Sequence, residues 1–309
     1  MTNHNNTPIL SVENLSIRFS QYTKGLHRRE LEVISSLNLE IYEGEMVAVA
    51  GASGSGKSLL AHAIMGILPS NAVVSGCIKY QGARLTAKIL AKLRGAEIAL
   101  IPQSVTYLDP LMKVGRQIKG LQASNEKVRA VLKRYDLGPE VASMYPHQLS
   151  GGMLRRVLVA TAVITGAKLI IADEPTPGMS RQLSEETLGH LRELADAGCA
   201  VMLITHDIGA AAQIADRVSI FYAGTTVETA RREDFEKNGQ TLRHPYTKAL
   251  WEALPQNEFR AIGGHQPYTG TIIDSCPFVP RCDRATGECN SCVSVRNIRG
   301  GMVRCVNAS

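Results

Sequence analysis

No run in this sequence approaches the roughly 18 apolar residues that a membrane-spanning helix needs. That excludes a helical span and leaves any membrane association to partners. The first residues, MTNHNNTPIL, are polar and hold no apolar signal-peptide core, so a cytosolic protein is expected. Charge of one sign is scarce as well. With 34 basic and 28 acidic residues the net charge is +6, which neither demands nor forbids nucleic acid or an anionic surface. No internal repeat or low-complexity tract is visible. What remains, 44% hydrophobic and 20% charged residues, describes an ordinary globular chain long enough for two domains.

The chain is organised around Met46–Ser58, MVAVAGASGSGKS. A short apolar strand leads into a G-x-x-x-x-G-K-[ST] loop, and the apolar helix LLAHAIMGIL follows, expected to stop before Pro69. Gly51, Gly54 and Gly56 allow a tight turn whose N–H groups face an anion, and the helix N-terminus adds partial positive charge. Gly51, Ser53, Gly54, Ser55, Gly56, Lys57, Ser58 and Leu59 are therefore the candidate nucleotide contacts. Lys57 is expected at the β- and γ-phosphates and the Ser58 hydroxyl at Mg²⁺.

On either side of that loop the periodicity alternates between strand and helix. Residues 9–19 and 31–41 read as half-buried antiparallel strands joined by a polar loop, and 76–81 as another strand. Residues 97–101 read as a buried strand ending at Pro102-Gln103. A helical region then spans about 104–165, with Val128, Val131, Leu132 and Tyr135 on one apolar stripe. LIIA (169–172) is a strand ending Asp173-Glu174. Residues 184–197 predict a helix with Glu185 and Glu186 in its first turn and Leu188, Leu191 and Leu194 inward. Ala200–Ile204 ends at Thr205-His206, and Arg217–Tyr222 follows as one more strand. The alternation implies a parallel sheet covered on both faces, with a domain boundary near residue 240.

Ligands in such sheets lie beyond the carboxyl ends of the strands, where this chain places Gly51, Gln103, Asp173-Glu174 and His206. Asp173 is a second Mg²⁺ partner, and Glu174 orients or deprotonates the attacking water. His206 contacts the γ-phosphate, and Gln103 senses Mg²⁺ and water. LSGGM (149–153) opens a second helix with Ser150, Gly151 and Gly152, another anion site. Two such sites so far apart in sequence imply that two subunits sandwich each nucleotide.

These elements resemble, in order and spacing, the Walker A, Q-loop, signature, Walker B and H-loop of ABC-transporter ATPase subunits, over residues 9–230. The resemblance implies an α/β P-loop NTPase fold with an antiparallel β subdomain and a helical subdomain. It also places an adenine-stacking aromatic at Phe19, with Tyr22 as the alternative. PQSVTYLDPLMKVGRQI, YPHQLSGGM, HPYTKALWEALP and a cysteine-rich tail resemble the oligopeptide/dipeptide/nickel importer branch, in which LSGGM is usual. One departure is the D-loop: where the family reads TALD, this chain has Pro177-Gly178-Met179-Ser180, with Ser180 in place of the aspartate.

The resemblance implies residues 1–240 as the ATP-binding domain and 241–309 as a small extension. It implies ATP and Mg²⁺ as ligands, a second ATPase subunit, two membrane permeases, an external binding protein and the cytoplasmic membrane face. The cargo would be peptides, nickel or metal complexes. Two other classes fit parts of the sequence. One is a soluble ABC ATPase acting on nucleic acid or ribosomes, disfavoured by the single cassette, the modest charge and the tail. The other is a non-hydrolysing regulatory subunit, for which the D-loop is the one hint.

Seven cysteines are unevenly spread. Cys77 and Cys199, alone in strand-like runs, read as buried core. Cys276, Cys282, Cys289, Cys292 and Cys305 crowd the end, where a cytosolic setting favours metal over disulfides. In the resembled branch, positions matching Cys276, Cys282, Cys289 and Cys305 hold a [4Fe–4S] cluster in some members, with Cys292 extra. Zinc or reduced thiols are the alternatives, and five arginines would offset a cluster's negative charge. Residues 256–309 have too few large apolar side chains for a core of their own, so a staple is expected there.

Overall fold

A computed structural model describes residues 7–22, 28–120, 123–267 and 275–308. In chain order the elements are β1 (Leu10–Tyr22), β2 (Arg28–Ile41), β3 (Met46–Gly51), α1 (Lys57–Met65), β4 (Ala72–Tyr80) and β5 (Ala83–Arg84). Next come α2 (Ala87–Leu93), β6 (Ile98–Ile101), α3 (Val114–Lys119), α4 (Asn125–Arg134), α5 (Gly151–Val163), β7 (Leu169–Asp173), α6 (Arg181–Asp196) and β8 (Ala200–Thr205). The chain closes with α7 (Ile208–Ile214), β9 (Arg217–Tyr222), β10 (Thr225–Arg231), α8 (Pro245–Glu252), β11 (Arg296–Ile298) and β12 (Gly301–Val303). Two compact units result. One comprises Met1–Tyr42, Met46–Leu85 and Thr205–Ser309, the other Glu43–Glu45 and Thr86–Ile204.

In the first unit β2, β1, β4 and β5 form an antiparallel sheet in that order. Their alternating pattern buries Leu10, Val12, Leu15 and Ile17 from β1 against Ile34, Leu37, Leu39 and Ile41 from β2. A separate run of strands carries the phosphate loop. β3 is apolar and buried throughout, and it pairs in parallel with β9. β10 then pairs antiparallel with β9, β12 with β10 and β11 with β12. The expectation of an all-parallel sheet therefore fails on this side. The tight turn Ala223-Gly224, with positive φ at both residues, returns the chain as a hairpin rather than through a helix.

In the second unit β8, β7 and β6 are parallel and almost wholly buried. α4 buries Val128, Val131 and Leu132, as its stripe predicts, and Tyr135 beside them. α6 begins earlier than its sequence suggests. Ser180 caps it by accepting from the Leu183 N–H at 3.3 Å, so Glu185 and Glu186 lie beyond the first turn. Its inward residues are Thr187, Leu191 and Ala195, while Leu188 and Leu194 are half-buried. α1 likewise ends at Gly66, whose left-handed backbone closes the helix three residues before Pro69.

Cys77 and Cys199 are half-buried rather than core residues. The Cys199 thiol donates to the Ala167 carbonyl at 3.2 Å, and burial pushes its pKa up to about 11.

Beyond residue 240 the chain continues the first unit instead of standing apart. The fully buried Arg243 grips both oxygens of Asp234 at 2.9 and 3.0 Å and Glu228 Oε1 at 3.2 Å. It also donates to the carbonyls of Ile298 and Arg299 at 2.6 and 3.0 Å. Phe278 is buried against Tyr222, Tyr246 and His244. Arg281 donates to the Tyr222 hydroxyl at 3.1 Å, and Arg304 to the Ser36 carbonyl at 2.9 Å. The tail thus has no separate core, as its composition implies, but its staple is this ion-pair and aromatic anchorage. Arg281, Arg299 and Arg304 bind a hydroxyl and backbone carbonyls of the fold.

Candidate nucleotide site

The phosphate loop belongs to the first unit. Gly54 and Gly56 have φ of 77° and 100°, conformations that side-chain-bearing residues rarely adopt. Close approach constrains the ends of the loop. A Cβ on Gly51 would lie 2.3 Å from the Phe221 carbonyl oxygen, and one on Gly56 would lie 3.2 Å from Ile34 Cγ1. At Gly54 such an atom would meet open space.

Lys57 is 7% exposed, and its ammonium donates to the Gly51 and Ala52 carbonyls at 2.8 and 2.9 Å. Among the described residues the buried Ser55 hydroxyl has no hydrogen-bond partner. Ser58 and Leu59 open α1 half-buried, and Ser53 is exposed on the loop. Left-handed glycine backbones at Gly54 and Gly56, open space over Gly54, a positioned ammonium and an orphaned hydroxyl fit a polyphosphate.

Phe19 is half-buried on β1, two residues beyond Ile17, whose β2 partner Ile34 backs Gly56. The Tyr22 side chain lies outside the described residues. His206 is exposed just after β8, followed by Asp207, which caps α7 by accepting from Ala210 N–H at 2.9 Å.

The second unit gathers the carboxylates. Asp173 ends β7 and is 2% exposed, while Glu174 is 7% exposed. Glu174 has a φ of 47°, a left-handed conformation that is costly for a non-glycine residue. Its N–H is held by the Ile204 carbonyl at 2.9 Å. Gln103 is exposed one residue past the buried Pro102.

The sequence reading missed Arg155 of α5. Its guanidinium donates to the Gln103 carbonyl and, at 3.4 Å, to that of Pro102. Burial lowers its pKa, while Asp173 and Glu174 raise it. The one available signal was a basic pair, Arg155-Arg156, inside an otherwise apolar helix. At the start of α5, Ser150 accepts from the Met153 N–H at 3.3 Å, leaving Gly151 exposed with open space over its Cα. A Cβ on Gly152 would come within 3.9 Å of the Gly178 carbonyl, so the signature adjoins the altered D-loop.

Among the described residues no three His, Cys, Asp or Glu side chains gather closely enough to hold one metal ion. The tail thiols nevertheless share one region. Cys276 is within electrostatic reach of Cys282, Cys289 and Cys305, and each of the other three reaches its fellows. Cys289 Sγ accepts from the Thr286 N–H at 3.4 Å and from the Asn307 amide at 3.5 Å.

An ABC transporter family model matches residues 34–177, and a model of the oligopeptide/dipeptide transporter C-terminal region matches 227–289. The chain is 33% identical to an oligopeptide transport ATP-binding protein of Haemophilus influenzae, covering 96% of both proteins. The chain belongs to the ABC-transporter ATP-binding subunits of the oligopeptide/dipeptide family. It is also 33% identical to a dipeptide transport ATP-binding protein of Bacillus subtilis, over 94% of this chain and 91% of that protein. A bacterial ABC transporter cassette solved as a dimer matches with a TM-score of 0.64 at 25% identity, covering 72% of this chain and 98% of that one. A post-hydrolysis cassette dimer bound to ADP and phosphate matches at 0.63 and 26%, again over 72% and 98%.

Membership makes this an ATPase subunit that binds ATP with Mg²⁺. Among the described residues no helix is long and apolar enough to cross a membrane.

Proposed function

We propose that this chain energises import of di- or oligopeptides as one half of an ATPase dimer on the cytoplasmic side of two membrane permeases. One observation carries the reading. A single chain joins an ABC-transporter region at 34–177 to an oligopeptide/dipeptide C-terminal region at 227–289. Nickel or metal-complex cargo is the alternative within the same branch, and an external binding protein would select either.

In this reading Lys57 and the N–H groups of Gly51–Ser58 bind the β- and γ-phosphates of ATP. Ser58, Asp173 and Gln103 serve Mg²⁺, Glu174 positions or deprotonates the attacking water, and His206 contacts the γ-phosphate. Phe19 stacks on adenine. Ser150, Gly151 and Gly152 meet the nucleotide held by the partner subunit. Held by Ser58, Asp173 and Gln103, Mg²⁺ would supply positive charge to offset that of the phosphates. Burial of Asp173 and Glu174 and the left-handed backbone of Glu174 support these roles, since such backbone strain clusters at functional sites.

In this reading the ATP-binding region is 1–240 and the extension 241–309, the latter packed within the first unit rather than folded apart. Cys276, Cys282, Cys289 and Cys305 are assigned to a [4Fe–4S] cluster. The nearness of the four thiols to one another supports a shared ligand set. The N–H groups of Thr286 and Asn307 aimed at Cys289 are typical of cluster ligands. Bound there, the cluster would supply cross-linking of the tail and a redox-sensitive centre.

The test is reconstitution in proteoliposomes with permeases and binding protein. ATP hydrolysis and labelled-peptide uptake should both depend on this chain. Uptake of nickel complexes and not peptides would redirect the cargo, and co-purification with ribosomes instead of permeases would reject the reading.

A further inference from the structure

A cavity of about 200 Å³ lies beside α8 within the first unit, and none of its lining residues belongs to the phosphate loop. One wall is a single face of the helix, where Pro245, Lys248, Ala249 and Glu252 recur at helical spacing. Residues 260–263 form another, and Phe278 with Arg281, Asp283 and Arg284 completes it.

The chain ties these walls together. The Arg260 N–H donates to the Glu252 carbonyl at 3.2 Å, closing residue 260 onto the end of α8. Arg281 Nε donates to the Gly263 carbonyl at 2.7 Å and Nη2 to that of Ile262 at 3.3 Å, while Nη1 reaches the Tyr222 hydroxyl. With three donors committed and its guanidinium 5.8 Å from the Phe278 ring centroid, Arg281 serves as wall.

The charge inside is unbalanced. Four cations, Lys248, Arg260, Arg281 and Arg284, line the cavity against two acids, Glu252 and Asp283. Among the described residues neither the Lys248 ammonium nor the Arg260 guanidinium has a hydrogen-bond or ion-pair partner. Glu252 stands one turn beyond Lys248, in the weaker Lys-to-Glu order along a helix, and the two make no ion pair. Lys248 is half-buried, and its pKa is lowered first by burial and then by Arg284 and Arg299, with Glu228 and Glu252 opposing. An entering anion would supply the counter-charge that the walls lack. The cavity is smaller than the roughly 300–1,000 Å³ of a drug-sized site, so it suits a small group. Guanidinium and ammonium donors match the oxygens of carboxylate and phosphate alike.

We propose that this cavity is a second anion site, in which Lys248 and Arg260 take one phosphate or carboxylate group of a small ligand. Bound there, the anion would bridge α8 to the Arg281–Arg284 stretch, within which Cys282 lies. The proposed function puts two sources beside this chain, phosphate released from ATP and the carboxylate of an imported peptide. The site itself does not depend on that function, and its test involves no transport.

Isothermal titration calorimetry of the anaerobically purified full chain, with inorganic phosphate or alanylalanine at constant ionic strength, tests the site. Lys57→Ala is titrated beside the parental chain, so that phosphate taken by the nucleotide loop is set apart. At least one of the two should bind the Lys57→Ala chain with a Kd of about 1 mM or tighter, and whichever binds names the source. Adding Lys248→Met or Arg260→Met should weaken that binding about tenfold or more, the loss of one charge-assisted contact, with Tm shifted by less than about 2 °C. Lys88→Met, at an exposed lysine of α2, should change nothing. No binding of either titrant at about 10 mM would overturn the proposal. So would an affinity unchanged by both Lys248→Met and Arg260→Met, or an equal loss in Lys88→Met, which would mark general surface charge.

Discussion

Arg155, one turn into the helix that the signature opens, donates to the backbone carbonyl of Gln103 at the end of β6. The same guanidinium feels the carboxylates of Asp173 and Glu174. The side chain therefore ties the signature helix to the segment bearing Gln103, and the carboxylates of Asp173 and Glu174 favour its charge. Its positive charge acts on two buried acids, and a neutral residue would remove that charge.

Replacing Arg155 by Met keeps length and apolar contact while deleting the charge. ATP binding should persist, since Lys57 and its loop belong to the other unit, and turnover should fall about tenfold or more. Phosphate release by the assembled transporter measures it. Full turnover would reduce Arg155 to a packing residue.

Glu174→Gln removes the water-positioning carboxylate while retaining shape. Turnover should drop by about two or more orders of magnitude, and an ATP-bound closed dimer should accumulate. Lys57→Ala should instead weaken nucleotide binding itself. Hydrolysis by Glu174→Gln at the parental rate would move the catalytic role elsewhere.

Ser180 stands where the resemblance expects the D-loop aspartate, and it caps α6 by accepting from the Leu183 N–H. The negative charge is lost with the cap intact. A partner subunit with its own D-loop aspartate would restore charge at one of the two sites, so this chain alone should be largely monomeric and a poor ATPase. Light scattering and phosphate release on the purified chain test both. A stable, fully active homodimer at micromolar concentration would contradict the expectation. Ser180→Asp should leave Tm unchanged, because aspartate caps as well as serine.

Much of this architecture is legible in local pattern. Gly51–Ser58 announces itself because glycine spacing, Lys57 and the flanking apolar runs all act within one strand-turn-helix. Asp173, Glu174 and Gln103 are readable as polar residues at the ends of apolar strands. What escapes is long-range. Arg155 meets Gln103 across about fifty positions, and no periodicity encodes that contact. β12 is three residues long and gains strand character by pairing with β10, while α8 is announced chiefly by His244-Pro245. The arginines of the tail are expected from the sequence to offset a cluster's charge, and three of them, Arg281, Arg299 and Arg304, donate to a hydroxyl and to backbone carbonyls of the fold.

His244 supplies a pH dependence. Its Nδ1 accepts from the Tyr246 N–H at 3.0 Å, capping α8, and burial lowers its pKa from 6.5 to about 3. The folded ring stays neutral while the unfolded chain binds a proton below pH 6.5, so stability is lost as pH falls from 6.5 toward 3. Between pH 7 and 5 this group alone costs about 2 kcal/mol. His244→Asn keeps a capping side chain without the titration. It should lower Tm at pH 7 and shrink the difference between pH 7 and pH 5. An undiminished difference would place the acid sensitivity in other groups.

The cysteine tail yields the last prediction. Burial raises the pKa of Cys276 to about 11 and also lifts Cys282 and Cys305, so without a metal these thiols are protonated. A cluster would have to displace those protons on binding, coupling its assembly to the tail. Anaerobically purified protein should be brown and carry about four irons per chain. Cys282, the half-exposed member, is the ligand to remove with least disturbance to packing. Cys282→Ser should bleach the colour and loosen residues around 276–305. It should not release the tail, because Arg243 with Asp234 and Glu228, Phe278 in its aromatic cluster, and β12 on β10 hold it independently. Proteolysis should therefore cut near the cysteines and spare α8. Nothing in phosphoryl transfer requires an electron, so ATP affinity should change little. Stoichiometric zinc without iron in anaerobic preparations would replace the cluster with a zinc site, and wholesale loss of α8 protection would show that the anchors are weaker than their geometry implies.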